Sequence, residues 1–251
     1  MHEKISLRDV PVVILAGGFG TRIADVKKRI PKGLVKIGNN PIIYHIIKSF
    51  RYYGYRKFII CTGYKQNEIK KYFYENKNKK IFKNLNIDVV FTGLKSNTGL
   101  RIKKIKNKIK NIFFLTYCDG LADINLKNLL IKFLNNNKLG LMTVTNPKSR
   151  FGIVSLDKKK NIYNFDEKTI LKNIWINAGF YIFSKEIFRS IKGKNPIFES
   201  ETIKELSKKK KLFAYRHMGF WKCMDTIKDK LELENLWKKN KAPWRIHEKI
   251  L

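Results

Sequence analysis

"VILAGGFGTR", residues 13–22, is an apolar run that stops at three glycines and an arginine. Residues 10–16 are continuously apolar and β-branched, which predicts a buried strand. The glycines behind it admit three mechanisms. A dinucleotide fingerprint needs a third small residue after G-x-G-x-x, but counted from Gly18 and Gly20 that place holds Ile23. A P-loop needs Gly-Lys followed by Ser or Thr, and here Thr21 rather than Lys follows Gly20. What remains is a turn whose bare N–H groups approach phosphate oxygens, with Arg22 placed to grip them bidentately, or else a plain tight turn leaving a core strand. The stretch by itself fits both.

Working outward, strand-like and helix-like segments alternate. Ile42, Ile43, Ile46, Ile47, Phe50 and Tyr53 fall on one face and predict a helix over 41–53. Strands are expected at 57–62, 87–91, 112–117 and 141–145, with helices at 66–74, 100–109 and 126–134 between them. This rhythm predicts an α/β fold, a Rossmann-like, mostly parallel sheet flanked by helices on both faces. Ligands of such sheets bind at the carboxyl ends of the strands. After about residue 150 the segments shorten. Strands at 153–156, 161–165 and 175–183 suggest a smaller mixed sheet, closed by helices at 184–191, 199–207 and 226–237, with another strand at 212–215.

The chain has 251 residues, 43% of them apolar, which is ample for a packed core. No stretch is apolar and long enough to span a bilayer, and the charged start "MHEKISLRDV" lacks the apolar region of a signal peptide, so a cytoplasmic location is expected. Cys61, Cys118 and Cys223 are odd in number and widely spaced, fitting neither a disulfide framework nor paired C-x-x-C zinc ligands. Four histidines, His2, His45, His217 and His247, lack metal-ligand spacing. The net charge of +34 would suit a nucleic-acid binder, yet the lysines are spread along the whole chain together with much Asn and Ile. A lysine-coated surface explains that pattern without a nucleic-acid partner, and it also draws in anionic ligands.

Lys32, in "RIPKGLVKIGNN", follows the first strand as Arg22 does, so the two could converge on one polyphosphate. In "FFLTYCDGLAD" an apolar strand delivers Asp119 to its carboxyl end, although Asp-Gly is also an ordinary turn pair. Mg²⁺ takes one or two carboxylates plus substrate phosphates. The second carboxylate is expected from Asp225 in "GFWKCMDT", a residue equally suited to capping the helix that follows.

These residues carry a resemblance. Gly17-Gly18-Phe19-Gly20-Thr21-Arg22 with Pro31-Lys32, then Tyr117-Cys118-Asp119-Gly120-Leu121-Ala122-Asp123, resemble the signatures of the sugar-phosphate nucleotidyltransferases. Arg150-Phe151-Gly152, Glu167-Lys168, Asn177-Ala178-Gly179, Gly219-Phe220-Trp221 with Met224-Asp225-Thr226, and Lys241-Ala242-Pro243-Trp244 are similar to the glucose-1-phosphate cytidylyltransferase branch. The likeness runs from Val12 to Trp244. Departures are a shortened stretch between Tyr74 and Ser96, Thr169 where a proline commonly follows Glu-Lys, Ala178 in place of a glycine, and Lys36 in place of an acidic residue.

The resemblance implies one nucleotidyltransferase domain over 1–251, with a nucleotide-binding part at 11–149 and a sugar-phosphate-binding and C-terminal part at 150–251. It implies transfer of a cytidylyl group from CTP to glucose 1-phosphate, giving CDP-glucose and pyrophosphate, with Mg²⁺ held by Asp119 and Asp225. Arg22, Lys32 and Asp119 are implied as catalytic. The nucleotide is expected on Leu15, Ala16, Gly17, Gly18, Gly20, Thr21, Arg22, Lys32, Thr98, Gly99, Arg101 and Asp119, with Arg101 reaching the cytosine carbonyl or the phosphates unless it is one more cation on an exposed helix face. The sugar phosphate is expected on Glu167, Lys168, Asn177 and Gly179. A homo-oligomer without specific nucleic-acid or membrane partners is implied too. A related transferase using another nucleotide or sugar phosphate, and a basic nucleic-acid-binding protein, are the alternatives.

Overall fold

β1 (Pro11–Ala16) is buried along its whole length. Its side chains alternate between two cores, Val12 and Ile14 on one face of the sheet and Val13 and Leu15 on the other. A strand can be apolar throughout only where both faces are covered, as in a parallel sheet wrapped by helices. This is a computed structural model, and it describes residues 6–20, 30–149, 151–167 and 169–245.

Two short strands, β2 (Lys36–Ile37) and β3 (Asn40–Pro41), lead into α1 (Ile42–Tyr52). Then come β4 (Lys57–Thr62), α2 (Gln66–Asn76), β5 (Asn86–Phe91), α3 (Thr98–Lys104), β6 (Ile112–Tyr117), β7 (Gly120–Ala122), α4 (Leu126–Leu134) and β8 (Gly140–Thr145). The chain continues through β9 (Ile153–Leu156), β10 (Ile162–Asp166), β11 (Ile176–Ser184), α5 (Lys204–Lys208), β12 (Leu212–Arg216), β13 (Trp221–Cys223) and α6 (Ile227–Lys238). Seven strands form the central sheet in the order β12-β8-β11-β6-β1-β4-β5. β11 runs antiparallel to both its neighbours, and the other adjacent pairs are parallel.

Helices cover both faces. Ile42, Ile43, Ile46, Ile47 and Phe50 of α1 pack with Leu126, Leu129 and Phe133 of α4 and Leu233 of α6 on one side. Ile102 of α3 and Leu206 of α5 join Phe113, Leu115, Tyr181 and Phe183 on the other. No helix among the described residues is long and apolar enough to cross a membrane.

The second half departs from the sequence reading first in its sheet. The strand expected at 175–183 belongs to the middle of the central sheet as β11, not to a smaller one. The reason is burial: Ala178 to Phe183 are all buried, so this strand needs cover on both faces. What stands apart is the antiparallel hairpin of β9 and β10, in which every residue of β10 is exposed. Three expected helices also change form. The one at 100–109 ends early as α3 and passes into a 3₁₀ turn, Lys106–Lys108. The one at 184–191 is a 3₁₀ helix, Lys185–Arg189, and the one at 199–207 begins as a π-helical turn, Phe198–Ile203, before α5.

Candidate active site

Two adjoining cavities open near the carboxyl ends of β1 and β6. The first, of about 550 Å³, is lined by the glycine turn and by residues 94–98. The second, of about 400 Å³, is lined by Asn177, Ala178, Gly179, Gly120 and Trp221. Lys32, Tyr117, Asp119, Glu199 and Asp225 line both, so they form the junction.

The two carboxylates are 106 positions apart by number, and a small antiparallel ladder brings them together. β7 pairs with β13 so that Gly120 faces Cys223, and the Met224 amide donates to the Asp119 carbonyl at 2.8 Å. Asp119 precedes β7 and Asp225 follows β13, so this register sets the two side by side. The Lys32 ammonium bridges them, 2.5 Å from Asp119 Oδ2 and 2.5 Å from Asp225 Oδ1. Lys32 opens a short 3₁₀ turn after Pro31, and Gly33 behind it is buried against Cys118. Burial alone would weaken the lysine's charge, but the Asp119 charge and the hydrogen bonds to both carboxylates outweigh it and raise its pKa well above the usual lysine range.

The two carboxylates are close enough to share one cation, here the Lys32 ammonium. One oxygen from each aspartate and the Cys223 sulfur lie within 4.8 Å of one another. Hard oxygen donors of this number suit Mg²⁺ completed by substrate phosphates. Burial first, then the charges of Asp119 and Asp225, push the Cys223 thiol above its usual range, so it stands there as a neutral thiol.

Of the predicted nucleotide residues, Leu15, Gly17, Gly18, Gly20, Lys32, Thr98, Arg101 and Asp119 line the first cavity. Ala16 is buried beneath it, and Gly99 is turned into its wall, its amide donating to the Pro196 carbonyl at 3.1 Å. Gly20 has φ +66°, a left-handed conformation that glycine enters without penalty. Thr21 and Arg22 lie outside the described residues.

Arg101 lines the first cavity and also has an office that the sequence reading does not include. It is not an exposed helix cation, because it is buried and its guanidinium donates to the protein itself. Nη1 donates to the Thr62 carbonyl at 3.0 Å, the Thr92 hydroxyl at 2.8 Å and the Gly93 carbonyl at 2.8 Å. Nη2 donates to the Gly17 carbonyl at 3.0 Å and the Leu94 carbonyl at 3.5 Å. It thereby ties the glycine turn to the opposite rim of the cavity. Gly17 has no side chain for this reason: a Cβ there would stand 2.1 Å from Arg101 Nη1.

Of the predicted sugar-phosphate residues, Asn177 and Gly179 line the second cavity. The β11 register shifts against β8 between Asn177 and Tyr181, and Gly179 within that bulge has φ +76°. Asn177 Oδ1 accepts from the Gly179 amide at 2.8 Å while its Nδ2 donates to the Tyr181 hydroxyl. Such bulges re-aim side chains beside sites. Glu167 is exposed past the end of β10 and lines neither cavity. Lys168 lies outside the described residues.

Sequence reasoning missed Glu199. It sits on the π-helical turn, accepts from the Tyr117 hydroxyl and, at 2.7 Å, from the Thr98 hydroxyl. Asn195 nearby accepts from the Asn97 amide at 2.7 Å and donates to the Lys95 carbonyl at 3.0 Å. Residues 195–199 thus support one wall of the first cavity from about a hundred positions away, and no local pattern announces such a contact. The π-helical turn is a structural sign, since these turns gather at functional sites.

Comparison with known proteins agrees with this geometry. The nucleotidyl transferase family model matches residues 11–238. A glucose-1-phosphate cytidylyltransferase of Salmonella typhimurium is 36% identical over 94% of this chain and 99% of its own. A probable glucose-1-phosphate cytidylyltransferase of Bacillus subtilis is 36% identical over 93% of this chain and 98% of its own. Among solved structures, HddC from Yersinia pseudotuberculosis complexed with GMP-PN superposes with a TM-score of 0.71 at 21% identity, covering 91% of this chain and 99% of that one. UDP-glucose pyrophosphorylase complexed with UDP-glucose gives 0.71 at 19% identity, covering 92% and 99%. The chain belongs to the nucleotidyl transferase family.

Proposed function

We propose that the protein joins CTP to α-D-glucose 1-phosphate, giving CDP-glucose and pyrophosphate. One observation carries this reading: two cavities meet at a cation-holding carboxylate pair, which is what a reaction between two anionic substrates requires. CTP takes the first cavity, against the glycine turn and residues 94–98. The sugar phosphate takes the second, against Asn177 and Gly179, with Glu167 and Lys168 assigned to it by resemblance alone.

The sugar phosphate is already an anion near neutral pH, so the chemistry needs no general base. One of its oxygens attacks the α-phosphorus in line with the departing pyrophosphate, and alignment with charge neutralisation supplies the acceleration. Lys32 leaves the carboxylates to hold α-phosphoryl oxygens, and Arg22 with Thr21 steadies the leaving group. Asp119 and Asp225 would hold Mg²⁺, which when bound would neutralise phosphate charge. The exposed apolar side chains of the β9–β10 hairpin, Val154, Leu156, Ile162, Tyr163 and Phe165, support a homo-oligomer, which light scattering tests. The free thiols Cys61, Cys118 and Cys223 accord with a reducing, cytoplasmic setting.

The test is pyrophosphate release across a matrix of nucleoside triphosphates and sugar 1-phosphates with Mg²⁺. CTP with glucose 1-phosphate is expected to give the highest kcat/KM. A higher value for another pair moves the assignment within the family, and no turnover of any pair together with a salt-resistant, sequence-specific nucleic-acid complex rejects it.

A further inference from the structure

A row of polar side chains joins the two cavities, and the proposed reaction gives its middle no part. Tyr181 sits there, wholly buried and lining neither cavity. Its hydroxyl lies 3.5 Å from the Tyr117 hydroxyl and accepts from Asn177 Nδ2. Tyr117 donates in turn to Glu199, which also accepts from the Thr98 hydroxyl at 2.7 Å. Thr98 lines the first cavity and Asn177 the second, so the row runs from one to the other through the protein interior.

The row has one direction. An ionised carboxylate only accepts, so Tyr117 spends its proton on Glu199 and can only accept from Tyr181. Tyr181 then donates to Tyr117 and accepts from Asn177, whose Oδ1 takes the Gly179 amide at 2.8 Å. Burial above all, joined at Tyr117 by the charges of Tyr181 and Glu199, pushes both phenol pKa values up, that of Tyr181 to about 12, so both stay protonated. A ligand in the first cavity takes water away from Glu199, and a hydrogen bond strengthens as its surroundings lose dielectric. Each bond in a chain polarises the next, so Asn177 is held more firmly before its own ligand arrives. A group fixed in advance costs less to order on binding. We propose that Tyr117 and Tyr181 are positioning residues that couple the cavities, so that a nucleotide in the first tightens a sugar phosphate in the second, and the reverse by the same factor. Which ligand fills which cavity rests on the proposed function; the hydrogen-bonded row does not.

The probes are glucose 1-phosphate and the α,β-methylene analogue of CTP, whose bridge to the leaving group cannot break, titrated calorimetrically into the full chain with Mg²⁺. The coupling ratio is the Kd of glucose 1-phosphate alone divided by its Kd with the analogue saturating. It is expected to be about fivefold or more in the wild type, and the same when the two ligands exchange roles. Tyr181→Phe removes one hydroxyl, changes no charge and touches neither cavity. It should cut the ratio by about threefold or more. Its affinity for the analogue alone should match the wild type's, which a general loosening of the fold would not allow. Tyr117→Phe interrupts the same row, so the double variant should show the ratio of either single one. A ratio that Tyr181→Phe leaves unchanged overturns the coupling, while turnover of CTP with glucose 1-phosphate keeps the proposed function. A ratio that falls only in step with the affinity for the analogue gives Tyr181 a structural part and overturns the coupling as well. If turnover prefers another nucleotide or sugar phosphate, the same titrations with that pair decide the coupling, and the functional assignment moves without it. A chain that binds no such pair overturns both.

Discussion

Lys32 and Arg101 line the same cavity, and the regions around them treat a positive charge in opposite ways. Lys32 is partly exposed and faces two carboxylates, partners that a phosphate or a metal ion can replace. Arg101 is buried among carbonyls and a hydroxyl, with no carboxylate on its guanidinium among the described contacts. Burial first of all lowers its pKa, only partly offset by Cys61, yet arginine keeps its charge because its ordinary value is so high. The contrast separates chemistry from architecture. A charge neutralised by carboxylates at a cavity junction is exchangeable, and a charge locked into backbone acceptors holds a wall still while its neighbours change partners.

The carboxylate corner is where the largest effect is expected. Asp119→Asn or Asp225→Asn should each lower the rate of pyrophosphate release by roughly 10²-fold to 10³-fold, the usual cost of losing one fixed electrostatic contact to a reacting group. Unfolding midpoints in urea should move far less, since both side chains are partly exposed. If either variant instead unfolds readily and keeps its rate, the corner is architectural and the contrast with Arg101 fails.

Arg101→Met should show the reverse pattern. It takes the donor from the Gly93 carbonyl and leaves the buried Gly17 carbonyl with the long Tyr64 amide contact at 3.4 Å, at about 1–3 kcal/mol for a poorly satisfied group, while the Thr62 carbonyl keeps the Thr92 amide and hydroxyl. The urea midpoint should fall with an unchanged m value, and KM for the nucleotide should rise more than kcat falls. Arg101→Lys should rescue little, because a point charge cannot span acceptors spread on two sides of the cavity. Gly17→Ala tests the same tie from its other end. The new methyl must push the guanidinium away, costing about 1–3 kcal/mol as overpacking, and its effect should be strongly non-additive with Arg101→Met. Additive losses would show that the two do not act as one unit.

The same contrast explains what could be read in the sequence. The parallel sheet was legible because β1, β4 and β6 are apolar runs matching strands buried on both faces, and α1 and α4 show clean stripes. Asp119 was legible because a strand's carboxyl end is a local feature. Its meeting with Asp225 was inferred from what a metal requires and from resemblance, since nothing local reveals the β7–β13 register. The tie that Arg101 makes across the cavity is not legible, because all but one of its partners are backbone carbonyls, which carry no sequence signature. Glu199 was missed because its contacts reach back to Thr98 and Tyr117 through the fold alone. β11 was grouped with its neighbours in sequence, although its burial places it two strands away from β1.

The smallest expected effect concerns how Asp225 is held in place. Asp229 accepts from the Thr226 amide at 2.9 Å, the Thr226 hydroxyl at 2.8 Å and the Asp225 amide at 3.1 Å, while Lys222 lies 2.9 Å from its other oxygen. With Thr226 it forms the capping box of α6. Burial works against its charge, but the Lys222 ammonium and the Thr226 hydroxyl and amide prevail and hold its pKa below the ordinary carboxylate value. A carboxylate whose pKa is depressed by folding contributes stability that is present above its unfolded value and is lost as pH falls through its folded one. Asp229→Asn should therefore cost roughly 0.5–2 kcal/mol near neutral pH, in the range of a lost cap. The two proteins' urea midpoints should converge as the pH drops below about 4, where the wild-type carboxylate takes up its proton. At neutral pH the rate should fall by less than about tenfold, since Asp225 keeps its carboxylate and loses only a backbone tether. A gap between midpoints that stays constant into acid would assign the loss to packing instead of charge, and a rate loss as large as that of Asp225→Asn would move Asp229 from the support of the corner into the corner itself.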